Sequence, residues 1–104
     1  MDAQLVKTHP DNYSKVRFEF LQVTQLNREK VIDQAGVLSY EFRNESTNAN
    51  ILMQVNNIFL RAGTGIILQM VTGERDVTVY RVTMTGQAAP NTVYGTIIMK
   101  VRVD

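Results

Sequence analysis

Two asparagines, Asn56 and Asn57, stand between the alternating runs Ile51-Leu52-Met53-Gln54-Val55 and Ile58-Phe59-Leu60-Arg61, and this spacing predicts a tight β-hairpin. A two-residue loop follows the twist of its strands only when its central residues reach positive φ, which Asn does more readily than any residue except Gly. The same succession of short apolar run, polar turn and short apolar run fills most of the chain. No segment carries apolar residues at helical spacing over three turns and no internal repeat is present, which excludes helical and solenoid folds.

The first fifteen residues, MDAQLVKTHPDNYSK, hold no lasting period and read as a polar arm (1–15) ahead of a β-domain (16–104). From Val16 the alternation sets Val16, Phe18 and Phe20 against Arg17 and Glu19, and then Leu21 and Val23 change phase. That change predicts a β-bulge at Phe20-Leu21, or a strand passing from one sheet to the other. Residues 25–33 read as a long connection with room for a short edge strand. Leu38, Tyr40 and Phe42 alternate up to a polar loop at 44–50, and the Asn56-Asn57 hairpin follows. Turns around Gly63-Thr64-Gly65 and at 72–76 predict a three-stranded meander through Ile66, Leu68 and Met70. The run 77–84 leaves its inward face open between Val77/Val79 and Tyr80/Val82/Met84. The last run, Thr92 to Val103, alternates cleanly on Val93, Gly95, Ile97, Met99, Val101 and Val103, with Gly95 as a possible bend. About seven strands at intervals of roughly 8 to 12 residues predict a single two-sheet antiparallel β-sandwich, with a small β-barrel as the alternative.

Composition narrows function mainly by exclusion. At 104 residues the chain fits one domain with a core that needs no metal or disulfide. Eleven basic against ten acidic residues, interspersed, provide no basic stripe, so no nucleic-acid partner is expected. The lack of Cys removes thiolate metal sites, disulfides and a Cys nucleophile and leans toward a reducing interior. No apolar stretch approaches the roughly 20 residues of a membrane span, and Met1-Asp2-Ala3-Gln4 lacks the start of a secretory signal, so a soluble, unprocessed chain without a membrane partner is expected.

Each constellation with the residue types for chemistry has a plainer reading. His9 with Asp11 and Ser14 holds the three residue types of a hydrolytic triad, but a polar segment around Pro10 cannot orient them, and a surface His is expected. Glu41 with Glu45, or Glu74 with Asp76, has the residue types of an acid/base pair or a hard-cation site, but neither has the dense ligand spacing of a Ca²⁺ loop. Ala62-Gly63-Thr64-Gly65 contains G-x-G but leads into a strand, so Gly63 and Gly65 read as turn residues, as do Asn56 and Asn57. The sequons Asn12-Tyr13-Ser14 and Asn44-Glu45-Ser46 predict exposed loops. No catalytic, cofactor-binding or metal-binding residue is assigned, and the chain is expected not to be an enzyme.

Paired apolar neighbours are the remaining unusual feature: Phe20-Leu21, Ile51-Leu52-Met53, Ile66-Ile67 and Ile97-Ile98. Adjacent strand residues point to opposite faces, so one of each pair must meet something other than the main core. Leu52, Phe59, Ile67 and Ile98 are therefore the candidate interface, and a homo-oligomer or larger assembly of protein subunits is expected. The arm 1–15 and the long last strand are the expected contacts.

The stretch from Phe42-Arg43-Asn44 to Val55-Asn56-Asn57-Ile58-Phe59-Leu60-Arg61-Ala62-Gly63-Thr64-Gly65 resembles a hairpin found in small β-sandwich proteins of bacteriophage virions. Those modules run from an N-x-S/T loop through an x-N-N-I-x-L hairpin to an A-G turn and another apolar strand. The resemblance covers about a quarter to a third of the chain. It implies a virion structural component, made in the host cytoplasm: a decoration, head-tail connector or fibre-base module of capsid or tail that binds neighbours and catalyses nothing. It carries over no functional residue. The alternative is a bacterial cytoplasmic, ligand-binding sandwich for carbohydrate or peptide, using Tyr13, Tyr40, Tyr80 and Tyr94 with the loops at 44–50 and 85–91; such a platform requires at least two adjacent exposed tyrosines.

Overall fold

A computed structural model describes residues 16–69, 79–87 and 92–103. These form eight strands and no helix: β1 (Val16–Val23), β2 (Lys30–Ile32), β3 (Val37–Asn44), β4 (Leu52–Val55), β5 (Ile58–Arg61), β6 (Thr64–Gln69), β7 (Tyr80–Thr85) and β8 (Gly95–Arg102). They make two four-stranded antiparallel sheets, ordered β1-β8-β3-β6 and β2-β7-β4-β5, which face each other without closing into a barrel. The sandwich expected from the sequence is the observed fold. The arm, Met70 and the turn at 72–76 lie outside the described residues.

Alternation decides what each strand buries. Tyr40 and Phe42 of β3 and Ile97, Met99 and Val101 of β8 point inward from the first sheet. Met53 and Val55 of β4 and Tyr80, Val82 and Met84 of β7 meet them from the second, which settles the open phase of β7. Tyr80 joins the layers, its ring tilted at 4.6 Å from that of Tyr40 and 5.3 Å from that of Phe42, within the range of favourable aromatic pairing.

Burial of these hydroxyls has a pH consequence. Desolvation, and then the proximity of Tyr80, raises the Tyr40 pKa above its ordinary 10.0, and desolvation raises that of Tyr80. Groups whose pKa is higher folded than unfolded contribute stability below the unfolded value and lose it as pH rises through the folded one. Urea midpoints are therefore expected to hold up to about pH 10 and to fall above it, less steeply in Tyr40→Phe and Tyr80→Phe.

Three sequence expectations are corrected. First, β1 is continuous: its register with β8 runs unbroken from Val16↔Arg102 to Val23↔Gly95, with neither bulge nor change of sheet. Arg17 and Glu19 share the inward phase of Leu21 and Val23, opposite the buried Val101 and Met99, while Phe18 and Phe20 point outward. The rim position resolves the conflict: β1 lies at the sheet edge, and the two charges pair with each other at 2.5 Å. Second, the three-stranded meander is a hairpin followed by a corner. β5 pairs with β4, but β6 pairs with β3 in the other sheet, so the chain crosses layers at Ala62-Gly63. Gly63, at φ 88°, permits that turn, and its N–H donates to the Asn44 carbonyl at 2.7 Å. Third, the last strand begins at Gly95 without bending and is paired on both edges, with β1 and β3. It therefore has no free edge to offer a neighbour.

Candidate functional site

The Asn56-Asn57 turn does more than reverse the chain. The hairpin register is as read, with Val55 opposite Ile58 and Met53 opposite Leu60. Only Asn56, at φ 51°, has positive φ, which is the sign pattern of a II′ turn. Its N–H donates to the Arg81 carbonyl at 3.0 Å, its side-chain oxygen accepts from the Arg81 N–H at 2.8 Å, and its Nδ2 donates to the Val79 carbonyl at 3.3 Å. The side chain thus continues the β4–β7 ladder one step past Val55↔Val82, where the backbone has turned away. Replacing Asn56 by Gly keeps the φ and removes the side-chain bonds, so Asn56→Gly is expected to cost about 1 kcal/mol and Asn56→Ala about 2. Denaturant titration of both variants separates the two contributions: no loss in Asn56→Gly would mean that the ladder bonds contribute nothing, and equal losses in the two would mean that the positive φ contributes nothing.

Asn44 is the centre of the sheet-crossing end, and nothing in a composition-based reading of 44–50 as a loop marks it. It closes β3 in the inward phase of Tyr40 and Phe42 and is fully buried. Its Nδ2 donates to the carbonyls of Ile51 at 3.0 Å and Leu60 at 2.9 Å, and its Oδ1 accepts from the Ser46 N–H at 3.2 Å. One amide side chain thereby ties β3 to the start of β4 and the end of β5. The sequon reading of an exposed loop is corrected here, since Asn44 and Ser46 are both buried. The N–H groups of Glu45 and Thr47 then donate to the carbonyls of Tyr94 and Thr92, which extends the β3–β8 pairing past the strand ends.

Outside this anchor lies a surface groove of about 530 Å³ between β3 and β6, lined by Glu41, Arg43, Glu45 and residues 63–67. Its charges are committed to one another. Arg43 Nε donates to Glu41 at 2.6 Å and its guanidinium lies 3.6 Å from Glu45, while Thr96 Oγ1 donates to the other oxygen of Glu45 at 2.5 Å. The hydrogen bond and charge of Glu41 hold the Arg43 pKa above its ordinary value. Glu41 and Glu45 therefore flank an arginine and do not form an acid pair. Gly65 lies in the groove floor opposite Arg43, where a Cβ would meet the Phe42 carbonyl at 2.8 Å. Gly63 and Gly65 are brought together with Asn44; Asn56 is at the far end of its hairpin from Leu52 and Arg61.

Among the described residues no group of three or more His, Asp or Glu side chains is placed to hold a metal. His9, Asp11, Ser14, Glu74 and Asp76 lie outside the described residues. Tyr40 and Tyr80 are core residues, leaving Tyr94 as the exposed tyrosine; Tyr13 is outside the described residues.

The proposed interface residues point outward as expected, and neither sheet covers them. Phe59 is 60% exposed, Ile67 61% and Leu52 37%, and Ile98 is half-buried. The expectation that the hairpin is covered on both sides is not met by the opposite sheet. Phe18 and Phe20, which the sequence alternation set together on one side of their strand, join this outer apolar set at 56% and 67% exposed. Ile98 lies between Phe20 and Glu41 in register, and Glu41 lies opposite Ile67, so these residues form one row across the first sheet. Comparison with protein-family models, with curated proteins and with solved structures finds no match to this chain.

Proposed function

We propose that this chain is a non-enzymatic structural or assembly protein that acts by packing against other protein subunits, its own copies included. The observation that carries this reading is the set of large apolar side chains on the outer sheet faces: Phe18, Phe20, Phe59 and Ile67, each more than half exposed. Burying such residues against another chain contributes about 25 cal/mol per Å², and contiguous exposed apolar surface is a mark of interaction sites. The narrower assignment, a virion component of a bacteriophage, rests on the resemblance of residues 42–65 to phage sandwich modules. Carbohydrate or peptide binding is the weaker reading, because Tyr40 and Tyr80 are in the core and the groove charges are paired internally.

Light scattering of the full chain across a wide concentration range tests the assembly reading. A mass above that of the monomer is expected, and it is expected to drop in Phe59→Lys or Ile67→Lys if those outer faces take part. A strict monomer at every concentration would overturn self-assembly and leave only packing against other chains.

A further inference from the structure

From β1 we infer that two copies of this chain associate edge to edge, β1 antiparallel to β1, with Phe18 on the two-fold axis, to give one continuous eight-stranded sheet. The inference deepens the assembly reading and rests on it.

β1 is an eight-residue edge strand, hydrogen-bonded to β8 on one side and, among the described residues, to no strand on the other. Edges of that length are normally blunted; the inward charges of β1, Arg17 and Glu19, are such a device, but they neutralise each other as a pair, and the outward face presents Phe18 and Phe20 to solvent. The opposite edge in the second sheet, β2, is only three residues long and contains Lys30, which is the protected kind. Strand edges with unpaired N–H and C=O groups pair with another strand when side chains on both faces match.

The side chains of β1 match a second copy in one register. An antiparallel pair about a two-fold must have its axis normal to the sheet and midway between the strands, which keeps each face on its own side, so one residue lies directly opposite its own copy across the axis. With the axis at Phe18, Arg17 lies opposite Glu19 of the second copy on the inner face, and Glu19 opposite its Arg17. On the outer face Phe18 meets Phe18, and Val16 meets Phe20. Moving the axis to Arg17 or to Glu19 sets identical charges against each other, and moving it to Phe20 sets Arg17 against Val23 and Glu19 against Leu21. Like charges directly opposite are destabilising, and charges facing apolar residues lose their partners. Charge complementarity thus selects both the occupant, a second copy, and its register. Arg17 and Glu19 already form a pair within each chain, so the dimer joins two such pairs into a four-charge cluster at the rim.

A charge-exchange experiment on the full chain tests this. In sedimentation equilibrium, Arg17→Glu alone and Glu19→Arg alone are each expected to dissociate about a hundred-fold more readily than the unchanged chain, as is Phe18→Lys. An equimolar mixture of the Arg17→Glu and Glu19→Arg chains is expected to recover a 1:1 heterodimer, since each charge again meets its opposite. A variant that merely misfolds would not be rescued by mixing. Because the chain has no Cys, Phe18→Cys supplies a second readout: oxidation is expected to give a disulfide-linked dimer, and Phe59→Cys is not. An oligomer unaffected by these charge changes would overturn the edge pairing while leaving the assembly reading in place. A monomer at all concentrations, or hydrogen-exchange protection of the β1 edge that does not vary with concentration, would overturn the edge pairing outright.

Discussion

Asn44→Ala is expected to lower the stability of this domain by about 3 kcal/mol or more, because it leaves the carbonyls of Ile51 and Leu60 and the N–H of Ser46 without their side-chain partner. All three bonds are made by a side chain that is fully buried, so water cannot replace them without opening the sheet corner. A urea titration should show a lower midpoint with an unchanged slope, the mark of a stability change without a change in the surface exposed. Asn44→Asp sharpens the test. Its ionised carboxylate still accepts from Ser46 but repels both carbonyls, whereas its protonated form can donate to one of them. The folded state therefore favours the protonated acid and raises its pKa, so this variant should gain stability as pH falls toward the ordinary Asp value of about 3.9 and lose it as pH rises. A loss below about 0.5 kcal/mol in Asn44→Ala would show that the amide is a bystander.

A comparable loss, about 3 kcal/mol or more, is expected of Gly86→Ala, for a different physical reason. Gly86 has φ 133°, a region that residues with a Cβ rarely enter, and an added Cβ would overlap the carbonyl oxygen of Asn50. That obstacle is backbone, so no side-chain rotation relieves it. Asn50 is itself fixed by its N–H, which donates to Asn48 Oδ1 at 2.9 Å, while the Ile51 N–H donates to the Asn48 carbonyl at 3.2 Å. Gly63→Ala is the control: at φ 88° it carries conformational strain, but nothing lies within 4 Å of the added Cβ, so its loss should stay near 1 kcal/mol. In thermal unfolding, with each kcal/mol worth about 4–8 °C for a domain of this size, the gap between the two variants should be several degrees or more. Equal shifts would mean that the close approach to Asn50 is unimportant.

Most of the architecture was readable from alternation, and the misreadings have a common cause. Period-two patterning separates two faces of a strand without saying which face meets the core. In β4, in β8 and in β3 from Tyr40 onward one face is clearly more apolar and the assignment is right, whereas a register shift between Val37 and Ser39 buries Val37 in place of the expected Leu38. In β1 the more apolar face, Phe18 and Phe20, is turned outward, because an edge strand overhangs the core and lets Arg17 and Glu19 occupy the inner rim. Turn composition located the reversal at Ala62-Gly63 but not its destination, since the pairing of β6 with β3 depends on residues 20 to 30 positions upstream. The candidate interface members Leu52, Phe59 and Ile67 were legible as outward residues. Asn44 and the ladder role of Asn56 were not, because their partners lie elsewhere in the chain. One signal for Asn44 was present: it falls in phase with Tyr40 and Phe42, and a polar residue in an inward phase demands a hydrogen-bonded explanation.

The central place of β8 carries a consequence for how the domain is made. β1 and β3 both hydrogen-bond to this strand, the last of the eight along the chain, and its partner residues in β1 lie 72 to 86 positions earlier. At roughly 5–20 residues per second, β1 waits on the order of ten seconds during translation before its partner strand exists. Throughout that interval the residues of β1, Phe18 and Phe20 among them, lack their β8 partner, and neighbouring nascent chains on one message offer the same segment. Edge-to-edge contact between copies would then compete with completion of the sheet, so the yield of native protein should depend on how far apart ribosomes are spaced.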